Sequence, residues 1–430
     1  MRILLISHGL PPDSVGGVEQ HVDGLAKALL AAGHDVEIFA RAQLPGTPQG
    51  QWTTRTAAGP RVHRVAYRWE NVRSLADLYR SEPMAAALQQ FLAARAAAGM
   101  RFDVAHVHHL TGMSTDSLQA LADARVPTVL TLHDYWLFCP RGQMFHHRGE
   151  LCETASLARC GECLQATFPS WVSGQNRDGE VARVHAGALR ALALPHRLVV
   201  PSARVIPPFA DLGVPTERFV VVANGVDTDR LATLPMPAGG PGPLRIGYLG
   251  TVMPSKGLHV LIDAVARLPR GAAQLRVHGN VVPYHGDESY GTRCFGRLQP
   301  GAGVHYFGPY GLEDLPALLA EIDVLAAPAL WHEAFGLTVR EALAAARPVL
   351  VSAVGGLQDA IEDGVQGRIL PPGDVSAWAE ALGHLCADRS QVAHMAVKAR
   401  SRARGFAAMA ADLVAVYDEA AASTGAPQTT

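Results

Sequence analysis

Glu333 and Glu341 stand with seven residues between them, and those seven include Gly336-Leu337-Thr338. An apolar run, Val324–Ala327, precedes the pair and a helical pattern ending near Ala346 follows it. Glu333 therefore falls on a loop and Glu341 about one turn inside a helix. The first turn of such a helix offers unbonded N–H groups at a positive dipole end, which suits a pyrophosphate. A flanking carboxylate accepts two hydroxyl hydrogen bonds at once, so Glu333 can serve a sugar and Glu341 a ribose. The plainer reading makes Glu341 a first-turn charge favoured by the dipole and Glu333 a solvated loop residue. Periodicity alone does not separate the two.

A second candidate for anion binding is Gly250-Thr251-Val252-Met253-Pro254-Ser255-Lys256-Gly257, between an apolar strand and a helical pattern. Of 37 basic residues only Lys27, Lys256 and Lys398 are lysines, so a lysine inside this loop stands out. A point cation beside helix-start N–H groups holds phosphate charge; a solvated loop lysine is the alternative. The residue order is not that of a Walker loop. Near the amino terminus, Gly16-Gly17 opens a helix after the first strand, where backbone can approach a ligand. An ordinary strand–helix turn explains that pair equally well.

His106, His108 and His109 end another apolar run, and His133-Asp134-Tyr135 ends the next. His-x-His suggests metal, but no third ligand follows in register, so lining of an acceptor cleft, with His109 and Tyr135 on that side, competes with satisfied structural histidines. Cys139, Cys152, Cys160 and Cys163 fall within 25 residues and end in Cys-x2-Cys. A structural zinc held by the four thiolates is one reading and reduced thiols the other. Met144-Phe145-His146-His147-Arg148 joins apolar and cationic groups, which suits peripheral contact with an anionic lipid-linked acceptor; a solvated loop is the other reading.

The elements that must position these residues alternate short apolar runs with longer helical patterns, the rhythm of parallel α/β sheets. Ile3–Ser7, Val36–Ala40, Val104–His108, Thr128–Leu132 and Leu198–Pro201 read as strands of a first set. The rhythm restarts near Phe219–Val222, passes a Pro/Gly-rich linker at Thr233–Pro243, and continues from Arg245–Leu249 through Pro348–Val351. With 430 residues, 48% hydrophobic and 18% charged, two domains are expected. The expected division is 1–217 with a Cys-bearing insertion at about 139–175, then 218–405. A final helix within 406–430 packs on either domain, with a loose tail after Thr424. A net charge of −2 gives no reason to expect nucleic acid. The absence of a signal-like or membrane-length apolar run points to a cytoplasmic protein, peripheral at most.

Taken in order, Gly16-Gly17-Val18-Glu19, Thr131-Leu132-His133-Asp134-Tyr135, Asn224-Gly225-Val226-Asp227, Lys256-Gly257, Glu333-x7-Glu341, Gly355-Gly356 and Asp363-Gly364 resemble the motifs of the retaining glycosyltransferase family 4. The resemblance runs from about Arg2 to Asp374. It implies a GT-B fold, two doubly wound Rossmann-like domains facing a central cleft. It also implies a nucleotide-sugar donor as co-substrate, with UDP or GDP expected, and a glycan or lipid-linked acceptor. Lys256 would bind phosphate, Gly336, Leu337 and Thr338 the pyrophosphate, Glu341 the ribose and Glu333 the sugar. Gly16 and Gly17 would close over the phosphates, His133 would lie by the transferring sugar, and Phe307 and Gly308 by the base. Transfer would be metal-independent, with no cofactor required. Where the family commonly has Arg, this chain has Thr251, so a phosphate cation is missing or Arg204 or Arg340 supplies it from elsewhere. The rivals are a nucleotide-sugar epimerase of the same architecture and a binding subunit without turnover.

Overall fold

The computed structural model describes all residues except 57–58, 238–239, 241, 297, 299–300, 302 and 424–430. The tail expected after Thr424 and part of the expected linker lie outside the described residues. Among the described residues there are fourteen strands: β1 (Arg2–Ser7), β2 (Asp35–Ala42), β3 (Trp52–Arg55), β4 (Arg61–Ala66), β5 (Val104–Val107), β6 (Thr128–Thr131), β7 (Arg197–Val200), β8 (Phe219–Val221), β9 (Leu244–Leu249), β10 (Ala273–His278), β11 (Val304–Gly308), β12 (Val324–Ala327), β13 (Val349–Ser352) and β14 (Gly367–Leu370).

They form two sheets, β3-β4-β2-β1-β5-β6-β7-β8 and β11-β10-β9-β12-β13-β14. Every pairing is parallel except β3 with β4. In each sheet the first strand of the set sits inside and the order reverses beside it, the doubly wound pattern that opens a ligand crevice at the strands' carboxyl ends. Ile3 pairs with both Val36 and Val104, and Ile3–Ile6 are fully buried, as a strand covered on both faces requires.

Two expectations change. Phe219–Val221 does not open the second set; it pairs with β7 as the edge of the first sheet, because its half-exposed residues need cover on one side only. The β3–β4 hairpin was missed, since Thr53 and Thr54 face solvent and give no apolar run.

The chain divides into two compact units. The first comprises residues 1–142, 153–225 and 406–430; the second comprises 143–152 and 226–405. The helix Phe406–Ser423 belongs to the first, where Met409, Leu413, Val416 and Tyr417 join the core beside Val22, Leu25 and Leu29 of the helix Gly17–Ala31. The ten residues Gln143–Cys152 were expected with the first domain but pack in the second unit as a hairpin bridged between Phe145 and Leu151. Met144, Phe145 and His146 are buried, whereas Arg148, Gly149 and Glu150 at the tip are exposed. No described helix is long and apolar enough to cross a membrane.

Candidate active site

In the second unit, the strand β9 delivers its loop to a short 3-10 turn, Pro254–Lys256. Gly257 follows at φ +71°, and a Cβ there would lie 1.9 Å from the Pro328 carbonyl oxygen, so only glycine allows this approach. Across the same contact, the Leu330 N–H donates to the Ser255 carbonyl at 2.7 Å. The Lys256 turn and the loop after β12 thus lie backbone against backbone, and Lys256 Nζ meets Glu333 Oε2 at 2.5 Å. The ammonium also sits 5.1 Å from the centre of the Trp331 ring. Trp331 itself is buried beneath the loop, which makes it packing rather than a sugar platform.

Glu333 is held from below by the Gly355-Gly356 pair. The Gly356 N–H donates to the Glu333 carbonyl at 2.7 Å. At Gly355, φ +46°, a Cβ would fall 2.3 Å from that carbonyl oxygen. Three residues after Glu333, Gly336 caps the helix Leu337–Ala344, and no side chain caps it. The open first turn at Leu337 and Thr338 is therefore ready for an anion. Arg340 does not replace the missing loop cation. Its guanidinium donates to the Gly356 carbonyl at 3.3 Å and lies 4.5 Å over the Phe335 ring. Arg204 lies in the first unit, in the turn Ala203–Val205. Thr251 contributes its carbonyl to the Tyr248 hydroxyl at 2.8 Å.

Glu341 is buried one turn inside this helix, and its carboxyl is pushed up to about 7 by burial and, secondarily, by Asp227. Asp227, another motif residue without an assigned role, also caps the helix Thr228–Leu231 by accepting from the Arg230 N–H at 3.2 Å. A buried carboxylate beside a like charge favours hydroxyl donors, which relieve its desolvation. The unfolded chain releases this proton near 4.5 and the folded protein near 7. Between those values the folded state holds more protons, so rising pH removes stability through that window and the full penalty stands above it. Glu341→Gln is therefore expected to raise the unfolding temperature of the ligand-free protein clearly at pH 8 and much less at pH 5. Equal shifts at both pH values would contradict the raised pKa.

Phe307 is half exposed, its ring stacked on His278 at 4.7 Å with Arg276 over it at 4.5 Å. The Gly308 carbonyl accepts from the Gly279 N–H at 2.8 Å. Partly buried Tyr310, two residues on, carries a phenol raised by burial and then by the Glu341 charge.

The first unit carries Gly16, Gly17, His109 and His133. Gly16 is the extended cap of the helix Gly17–Ala31, where a Cβ would lie 2.6 Å from the Glu19 carboxylate. Buried Glu19 accepts from the Ser14 hydroxyl at 2.5 Å and lies 3.5 Å from His8. His21, His108 and His133 bring one ring nitrogen each within 4.8 Å of the others. Only His108 of the His-x-His pair takes part, with His21 and His133 arriving from other elements, and these three imidazoles have the arrangement to hold a metal ion. Burial lowers all three pKa values, that of His21 to about 4, so the rings are neutral. His133 Nε2 lies 3.3 Å from His108 Nδ1, and His109 lies 3.2 Å from Asp134.

Two expectations in this unit are corrected. His106 is a satisfied structural histidine, bonded to the Tyr417 hydroxyl and to Thr131 at 2.7 Å each. Tyr135 is fully buried against Phe138 and Phe209, so it is core and not an acceptor contact. Cys160 and Cys163 share the helix Leu157–Thr167, Cys160 packs against the cluster around Leu164 and Val181, and the Cys139 N–H closes a turn onto the Tyr135 carbonyl.

Two doubly wound units, one bearing a lysine and two glutamates around an open helix start, define the GT-B class of glycosyltransferases. The sequence profile described as "Glycosyltransferase Family 4" matches residues 15–230, and that described as "Glycosyl transferases group 1" matches residues 243–388. The chain belongs to glycosyltransferase family 4. It is 27% identical over 409 residues to a glycogen synthase of Mycobacterium tuberculosis, covering 94% of this chain and 90% of that one. Among solved structures, sucrose-phosphate synthase of Thermosynechococcus elongatus superposes with a TM-score of 0.72 at 23% identity, covering 98% and 99% of the two chains. HepE of Anabaena, solved with UDP-glucose, superposes at 0.66 and 18% identity, covering 97% and 100%.

Proposed function

We propose that this glycosyltransferase moves a sugar from a UDP- or GDP-sugar to a hydroxyl of a glycan, glycolipid or lipid-linked acceptor, retaining the anomeric configuration and needing no metal. The observation that carries this reading is the Lys256–Glu333 ion pair, beside an uncapped helix start whose next turn bears Glu341. The diphosphate lies on the Leu337–Thr338 amides and draws the Lys256 ammonium, while Glu341 takes the ribose hydroxyls. These donors stabilise the charge that grows on the leaving pyrophosphate. A double displacement would need a free carboxylate beneath the anomeric carbon. Glu333 is engaged by Lys256 and is better suited to hold sugar hydroxyls. Attack then occurs on the face that the diphosphate leaves, with the phosphate taking the acceptor proton. His133, neutral and half-buried, offers a ring nitrogen to the sugar or acceptor.

A thermal-shift panel of UDP, GDP, ADP, TDP and CDP tests the reading. A binder at a hundred times its Kd stabilises by about 2.7 kcal/mol. UDP or GDP is expected to stand out, equally with and without EDTA. Failure of all five to bind would remove the proposed site, and a shift abolished by EDTA would remove the metal-independent reading.

A further inference from the structure

We infer that the hairpin Gln143–Cys152 is a strap that sets the spacing of the donor site's two charged loops, with Gln143 as its positioning residue; this rests on the donor reading above. The strap leaves a stretch of chain that otherwise builds the first unit and becomes part of the second. It is a folded element. The Cys152 N–H donates to the Met144 carbonyl at 2.9 Å and the His146 N–H to the Glu150 carbonyl at 2.8 Å. Phe145, 3% exposed, anchors it in the same apolar cluster as Trp331, Leu249 and Leu325, with Leu151 packed alongside.

From that anchor the strap makes polar contacts to both loops. At one end, the Gln143 amide donates to Met253 Sδ at 3.7 Å and its oxygen accepts from the Tyr284 hydroxyl at 2.9 Å. Met253 caps the very turn that carries Lys256. At the other end, His332 Nε2 lies 3.0 Å from the Cys152 carbonyl, and His332 immediately precedes Glu333. Lys256 stands in a turn of three residues and Glu333 on a loop without regular structure. A lysine–glutamate pair on such supports would lose its gain to side-chain and loop freedom. Fixing both supports from one rigid hairpin preorganises the pair for a diphosphate.

The expected signature is selective. Lys256 acts on the diphosphate, so loosening the strap weakens a nucleoside diphosphate more than the corresponding monophosphate. Kd values are measured for UDP and UMP, and for GDP and GMP, on the full-length wild type and on the Gln143→Ala and Tyr284→Phe variants. Loss of one hydrogen bond at a preorganised support in Tyr284→Phe, or of two in Gln143→Ala, predicts diphosphate binding weaker by about tenfold, with monophosphate binding changed less than about twofold. Phe145→Ala is expected to do the same and Phe145→Leu to restore most of the loss. Equal weakening of mono- and diphosphate would mean general destabilisation of the unit, and unchanged diphosphate binding would leave the strap idle; either overturns the inference. A wild type that binds neither UDP nor GDP would instead bring down the donor reading, and the strap's role with it.

Discussion

Lys256→Ala is expected to slow sugar transfer by at least about a hundredfold, the typical cost of removing one preorganised donor to developing negative charge. Arg340 of the same unit is no ready substitute for the ammonium, because it is committed to the Gly356 carbonyl and the Phe335 ring. The loss should appear in both kcat and nucleoside diphosphate affinity, since Lys256 acts on the phosphates before and during departure. Lys256→Arg should not restore it fully: the guanidinium is larger and planar, while the site faces one carboxylate oxygen at 2.5 Å. Steady-state kinetics with the donor identified by the panel checks this. A Lys256→Ala enzyme within about fivefold of wild type would contradict the assignment.

Glu333→Gln is expected to separate binding from turnover, with opposite signs. In the ligand-free protein the Glu333 carboxylate holds the Lys256 ammonium, so a bound diphosphate must share or displace that partner. Neutralising Glu333 frees the cation, and UDP or GDP binding should stay equal or tighten. Turnover should nevertheless fall by about a hundredfold or more, because sugar hydroxyls lose the acceptor that orients them. The double variant Glu333→Gln with Lys256→Ala should lose less than the product of the two single losses, since bonded residues do not act independently. A Glu333→Gln variant that weakened diphosphate binding and turnover alike would point to a structural role for the loop.

Much of this site could be read from residue types alone, because the chemistry lies in one local pattern: two glutamates around a glycine-opened helix. The strands were legible where burial on both faces imposed apolar runs, as in Ile3–Ile6, and illegible where one side faces water, as at Thr53 and Thr54. Relations across long sequence separations were not legible. Lys256 and Glu333 were given separate ligands, and only the meeting of the turn after β9 with the loop after β12 makes them partners. The histidines failed for the same reason, since His21 joins His108 and His133 from a helix distant in sequence. Tyr135 misled because a tyrosine beside a motif reads as accessible, whereas two phenylalanines enclose it. The departure of Gln143–Cys152 from its neighbours in the chain leaves no composition signal, apart from the apolar Met144-Phe145 that seats it.

The most direct test is a crystal structure of the full-length protein with the nucleoside diphosphate that the panel selects. The β-phosphate is predicted within hydrogen-bond distance of Lys256 Nζ and of the Leu337 or Thr338 amide, with a ribose hydroxyl on Glu341. A diphosphate bound elsewhere, with Lys256 still closed on Glu333, would contradict the account.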